Sequence, residues 1–174
     1  TNMSYMFEGS QATILDVSNF DTSKVINMSN MFSGSQATTL DVSNFNTPNV
    51  TDMSGMFNSS KATTLDLSNF NTSKVTNMSG MFSYSQATTL DISNFDTSKV
   101  TSMRSMFDSS TNLKTIYGSS KFVTTAVTSS TSMFSRCTNL VGGAGTKYDS
   151  FYDDKTYARI DGGTSNPGYF TAKN

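Results

Sequence analysis

The sequence predicts an α/β repeat: a stacked solenoid with parallel β-strands on one face, short helices on the other, and a C-terminal cap. Three observations lead there. First, Met6, Met31, Met56, Met81 and Met106 recur every 25 residues, as do Leu15, Leu40, Leu65 and Leu90; a fixed period of roughly 20 to 50 residues marks an array of stacked units. Second, all 11 methionines fall on two positions of that repeat, the series of Met3, Met28, Met53, Met78 and Met103 and the Met6 series extended by Met133. Third, every unit carries a stretch of period two followed by one of helical spacing.

The strand comes first in each unit. Leu15 and Val17 alternate with Asp16 and Ser18, which fits a short strand with one face buried, and Phe20 closes that side. Parallel stacking at about 4.8 Å should then align Phe20, Phe45, Phe70 and Phe95 into an internal column. Val25, Met28 and Phe32, with Met31 alongside, stand at i, i+3 and i+7, the apolar stripe of a short helix. The second unit places Pro48 directly after Thr47, the arrangement of a first helical residue behind a threonine N-cap. The recurring Met and Phe are expected to be core, because stacking buries equivalent positions against their neighbours.

The ends depart from the repeat. Residues 1–7 align with Ile26 to Phe32, so about five to six coils are expected over residues 1–140, the first of them truncated and lacking its strand. An open first coil also suggests self-association through that end. The Met133-Phe134 pair follows Met106-Phe107 by 27 residues through a divergent stretch. Residues 141–174 then abandon the pattern; their Tyr148, Phe151, Tyr152, Tyr157, Ile160, Tyr169 and Phe170 are expected to cover the last coil as a capping segment.

Composition narrows the function classes. Charged residues are only 14% of the 174, and 12 Lys and Arg against 13 Asp and Glu leave a net charge of -1, so no basic run exists to neutralise nucleic acid. No apolar stretch approaches the roughly 18 to 20 residues of a membrane span, so direct membrane insertion is not expected. With no histidine and one cysteine, Cys137, the His-dependent nucleophile arrangements and His-based zinc sites are absent.

The units LDVSNFDTSKVINMSNMFSGS (15–35), LDLSNFNTSKVTNMSGMFSYS (65–85) and LDISNFDTSKVTSMRSMFDSS (90–110) resemble the BspA-like leucine-rich repeats of bacterial surface proteins, of Gram-positive and mycoplasma type. The resemblance covers most of residues 1–140. The inner units carry Ser35, Ser60 and Ser85 where the family often has cysteine; MFSRCTNL (133–140) keeps it. It implies a right-handed leucine-rich-repeat-like solenoid, displayed extracellularly on the bacterial cell surface or cell wall, that adheres to a host or microbial surface protein or glycan.

One stripe could carry recognition. Outward from the strands run Ile14, Thr39, Thr64 and Thr89; Asp16, Asp41, Asp66 and Asp91; and Ser18, Ser43, Ser68 and Ser93, with Tyr117 in the next equivalent position as a stacking platform. Carboxylates one coil apart repel by about 1 kcal/mol per adjacent pair in water, so something must compensate. Each Asp could accept backbone or hydroxyl hydrogen bonds. Alternatively the row binds calcium, with Asp41 and Asp66 as ligands, or the hydroxyls and amines of a partner.

A carboxylate pair at this spacing also suits a retaining glycosidase. Catalysis, however, needs two carboxylates in different surroundings, and a repeat gives them the same. The chain is therefore read as non-catalytic: a binding and adhesion module first, a structural spacer displaying another domain second. An ice-binding solenoid comes last, because the Asp row interrupts its threonine array. The acidic cluster Asp149, Asp153, Asp154 and Asp161 reads as a solvated cap.

Overall fold

The computed structural model describes residues 1–173. Among the described residues five short strands are present: β1 (Ile14–Leu15), β2 (Thr39–Leu40), β3 (Thr89–Asp91), β4 (Thr115–Gly118) and β5 (Phe170–Ala172). β1 pairs with β2 in parallel, Leu15 opposite Leu40, and β3, β4 and β5 form a second parallel sheet with Leu90, Ile116 and Phe170 in register. Across the chain from the strands runs a longer line of parallel bridges, Asn2 to Asn27, Asp52, Asn77, Ser102 and Ser129. Units 25 residues apart therefore lie side by side, and the two-residue insertion before Ser129 is absorbed without breaking that line.

The helices expected over Val25 to Phe32 and its equivalents are not formed; among the described residues no α-helix is present, and the segments are successive tight turns. The reason lies in how the amides are shared. Met28, Asn30, Phe32 and Gly34 donate their N–H groups to Asp52, Ser54, Met56 and Asn58 of the next coil at 2.7–3.0 Å. Met31, Ser33 and Ser35 donate instead to Met28, Asn30 and Phe32 three residues back. A helix would need every one of these donors for its own i−4 carbonyl. Two residues per coil also lie in the left-handed region, Asn30 (φ 55°) and Gly34 (φ 66°) in the second, which no helix tolerates.

Thr47, expected as an N-cap, also works between coils. It is fully buried, donates its hydroxyl to the Asn71 carbonyl at 3.0 Å and accepts the Asn71 N–H at 2.8 Å. Thr22, Thr72 and Thr97 donate in the same way to Asn46, Asp96 and Val123. Pro48 then occupies the second position of a turn closed by Val50 N–H on the Thr47 carbonyl, a place its fixed φ suits.

The left-handed positions give a direct prediction. Gly80 (φ 62°) has only the Asn58 amide near a would-be Cβ, at 3.8 Å, so Gly80→Ala is expected to cost about 1 kcal/mol through backbone conformation alone. Its counterpart one coil on is Ser105 (φ 54°), where Ser105→Gly should move stability the opposite way. Urea unfolding of the two variants checks the pair of signs.

The core is made of the periodic residues. Met28, Met31, Phe32 and their equivalents in the next three coils are fully buried. Phe7, Phe32, Phe57, Phe82, Phe107 and Phe134 stack face to face at 5.3–5.7 Å with planes within 9° of parallel. The column expected from Phe20, Phe45, Phe70 and Phe95 is less regular: Phe45 and Phe70 stack at 6.2 Å, while Phe20 is half-buried and leans on Phe7.

The strand row is interrupted at the fourth coil. Thr64 and Leu65 join no strand, and Leu65 is half-buried where Leu40 and Leu90 are buried. Side chains hold the coils there. Asn69 donates its amide to the Ser43 carbonyl at 2.5 Å, and Asn94 reaches the carbonyls of Leu67, Ser68 and Phe70.

The C-terminal segment packs on the last coil. Tyr169 meets Phe134 edge-on at 5.0 Å, Phe170 meets Phe122 at 4.9 Å, and the Asp153 carbonyl takes the Phe134 N–H that a further coil would have taken. Three short 3₁₀ turns, Ser150–Tyr152, Lys155–Tyr157 and Gly163–Ser165, connect this segment. Of the aromatic residues expected to cover the coil, Phe151 and Tyr152 do not: they are 90% and 40% exposed.

Candidate binding face

The strand alternation sorts the outward row. In the third coil Leu40 and Val42 point into the core, leaving Thr39 and Asp41 exposed and Ser43 half-buried. Thr64, Asp66 and Ser68 are exposed in the fourth coil, as is Thr89 in the fifth, and Ser93 is half-buried. The residues expected to form a ladder thus share one face.

Each carboxylate is tied to its own serine two residues on. Asp16, Asp41, Asp66 and Asp91 accept the N–H of Ser18, Ser43, Ser68 and Ser93 at 3.0–3.1 Å, and the Ser18 and Ser93 hydroxyls add bonds of 2.6 and 2.7 Å. This is the Asx turn, in which a short acidic side chain replaces a backbone acceptor. Hydrogen bonds from Ser18, Ser43 and Ser68 hold the first three carboxylates below the ordinary aspartate range; for Asp66 the neighbouring Asp41 and Asp91 work weakly against this. The carboxylates are therefore ionised and fixed in direction.

Asp91 differs from the others. Burial pushes its pKa up, but the Lys173 ammonium, in ion contact with it, and Ser93 hold it below the usual value. Tyr117 lies next to Asp91 in the strand register and is half-buried, with Thr171 on its far side. Among the described residues no three Asp, Glu, Cys or His side chains gather closely enough to hold a metal ion, so Asp41 and Asp66 stand in a row and not in a coordination shell.

Cys137 is buried, donates its thiol to the Phe107 carbonyl at 3.0 Å, and is pushed by burial to a pKa of about 12, so it is neither a thiolate nor reachable. The acidic tail cluster does not act as one group: Asp149 and Asp154 cap 3₁₀ turns, while Asp161 is buried in hydrogen bonds.

Two further rows were not singled out from the sequence. Asn27, Asp52 and Asn77 accept the N–H two residues on, at 2.7–3.1 Å, and shape the bridge line. Asn44, Asn69 and Asn94 tie neighbouring coils together. The signal for the second of these rows was the invariance of the SNF triplet from coil to coil, which strand alternation alone does not require.

Against models of protein families, the chain matches one described as Mycoplasma protein of unknown function, DUF285, twice, over residues 1–90 and 58–150. The chain belongs to the DUF285 family. The first DUF285 match lies on the repeated coils and the second extends to the start of the C-terminal segment; residues 151–174 fall outside both. No curated protein and no solved structure matches it.

Proposed function

We propose that this chain is a non-catalytic binding and adhesion module, the repeat region of a larger bacterial cell-surface protein, built as a right-handed solenoid of the BspA-like leucine-rich-repeat type. The observation that carries the reading is the row of exposed, ionised aspartates, each locked by its own serine and flanked by exposed threonine. Like groups held at one-coil spacing suit a partner that offers many weak, equal contacts, because ordering costs are met before binding. The partner class is a host or microbial surface protein or glycan with amines and hydroxyls, met outside the cell.

The test is adhesion of the chain to immobilised mucin, matrix proteins and glycans. The double variant Asp41→Asn with Asp66→Asn keeps an acceptor for each Asx turn and removes the charge. Binding should fall about fivefold or more, the loss of roughly 1 kcal/mol that exposed charge contacts supply, with the melting temperature nearly unchanged. No binding by the chain itself, with adhesion carried by the rest of the protein, would favour a spacer that displays another domain.

A further inference from the structure

A second row of side chains carries a feature that the strand face does not explain. Gly9, Gly34, Ser59, Tyr84, Ser109 and Arg136 are equivalent residues of successive coils, and all have φ between 56° and 66° or within a degree of that range. The fold imposes this conformation, since the N–H groups of Ser59, Tyr84 and Ser109 donate to Ser83, Asp108 and Ser135 in the next coil at 2.7–2.8 Å. Glycine serves such a position best, and a bulky residue there is strained. Yet the fourth coil puts a tyrosine at it, 49% exposed, between serines on either side. Strain retained on a surface aromatic that fills no core is the kind that accompanies function.

The small neighbours open a groove beside the ring. It measures about 470 Å³, spans three coils, and is lined by Ser59, Lys61, Tyr84, Gln86, Ser109 and Thr111. Its polar groups are held ready. The Gln86 amide oxygen accepts from Asn112 at 2.9 Å, and the Ser59 and Ser109 hydroxyls are oriented by Asn58 and Asp108 at 2.8 and 3.0 Å. Lys61 has no side-chain hydrogen bond or ion pair among the described residues, which leaves a free ammonium at the rim. An exposed aromatic face, hydroxyls, an amide and one cation together match a sugar ring: its C–H face stacks on the aromatic and its hydroxyls meet the polar groups.

We propose that this groove is a saccharide subsite, in which Tyr84 stacks a pyranose ring, Gln86 and the serine hydroxyls take ring hydroxyls, and Lys61 takes the carboxylate of an acidic sugar. The inference rests on the binding-module reading and gives it a ligand class and a place, on a different face from the aspartate row.

The experiment titrates sialyllactose and neutral lactose into the full chain, followed by NMR. Sialyllactose should bind with Kd on the order of 1 mM, and about threefold more tightly than lactose. Tyr84→Gly should weaken both about tenfold and at the same time raise Tm by about 2–4 °C, because the strain is released. Lys61→Gln should erase the preference for sialyllactose and leave lactose alone. Absence of binding by either sugar at about 10 mM, or unchanged affinity in Tyr84→Gly, would overturn the subsite. If the subsite is overturned in either way, adhesion to immobilised surfaces that still falls in the Asp41→Asn, Asp66→Asn variant would leave the binding-module reading in place.

Discussion

Phe82→Ala is expected to cost about 4 kcal/mol, the range for truncating a fully buried phenylalanine. The ring has no exposure and stacks on Phe57 on one side and Phe107 on the other, both at 5.7 Å. Truncation removes both contacts and leaves a void bounded by Met and Phe side chains that belong to two neighbouring coils. Their backbones are pinned by ladder bonds and cannot collapse into it. Each lost aromatic pair adds roughly 0.5–1.5 kcal/mol beyond the area.

A stack whose units touch only their neighbours is divided by such a lesion at its middle, so unfolding should broaden as well as shift. Phe7→Ala is the internal control. Phe7 is half-buried at the first coil and stacks on Phe32 alone within its series, so its truncation should cost less than half as much. Denaturant unfolding of both variants decides the matter: equal costs would mean that the phenylalanine column is not the energetic spine.

That column was only partly legible in the sequence. The 25-residue period identified which methionines and phenylalanines are buried, because burial at one position of a repeat recurs at every other. The path of the backbone between them was not legible from apolar spacing. Val25, Met28 and Phe32 satisfy i, i+3 and i+7, and a run of turns that buries every third or fourth residue satisfies the same spacing. The distinguishing signal lay in the polar positions. Gly55 and Gly80 recur at one site, and Gly9 and Gly34 at another, and a repeated glycine at a fixed place marks a left-handed residue that ends a helix.

The polar rows show the same limit from the other side. That each outward Asp could accept hydrogen bonds from its neighbours was readable from Asp-x-Ser alone, since the Asx turn is local. The buried Thr22, Thr47, Thr72 and Thr97 bond across coils to partners 24 to 26 residues away, and the sequence around each threonine does not specify such a partner. The interruption of the strand row at Leu65 was equally hidden, for TTLD reads the same there as in the neighbouring coils.

Asp161→Asn is expected to cost on the order of 3 kcal/mol, although the replacement has the same shape. Asp161 is only 8% exposed. One carboxylate oxygen accepts the N–H groups of Ala144 and Thr146, both at 2.9 Å; the other accepts the Thr146 hydroxyl at 2.7 Å and the Gly163 N–H at 2.9 Å. Every group around it is a donor, so an amide NH₂ on either side would face two donors and leave them unsatisfied. Gly142 leaves no room to adjust: a Cβ there would lie 2.2 Å from the Gly168 carbonyl and 2.6 Å from the Asp161 carboxylate. Losing this knot frees the loop that carries Tyr169 and Phe170 onto Phe134, and with it the cover of the last coil. Acid should reproduce the loss. Burial pushes the carboxyl up, but the bonds from Thr146, Gly163 and Ala144 pull it down to about 2, against about 3.9 in the unfolded chain. A depressed folded-state pKa stabilises in full above the unfolded value and fades as pH falls toward the folded one. The stability gap between the native chain and Asp161→Asn should therefore be constant from about pH 7 to pH 5 and narrow between about pH 4 and pH 2. Melting curves of the two proteins across that range test it, and a gap that persists undiminished at about pH 2 would show that the charge of Asp161 is not what holds the segment closed.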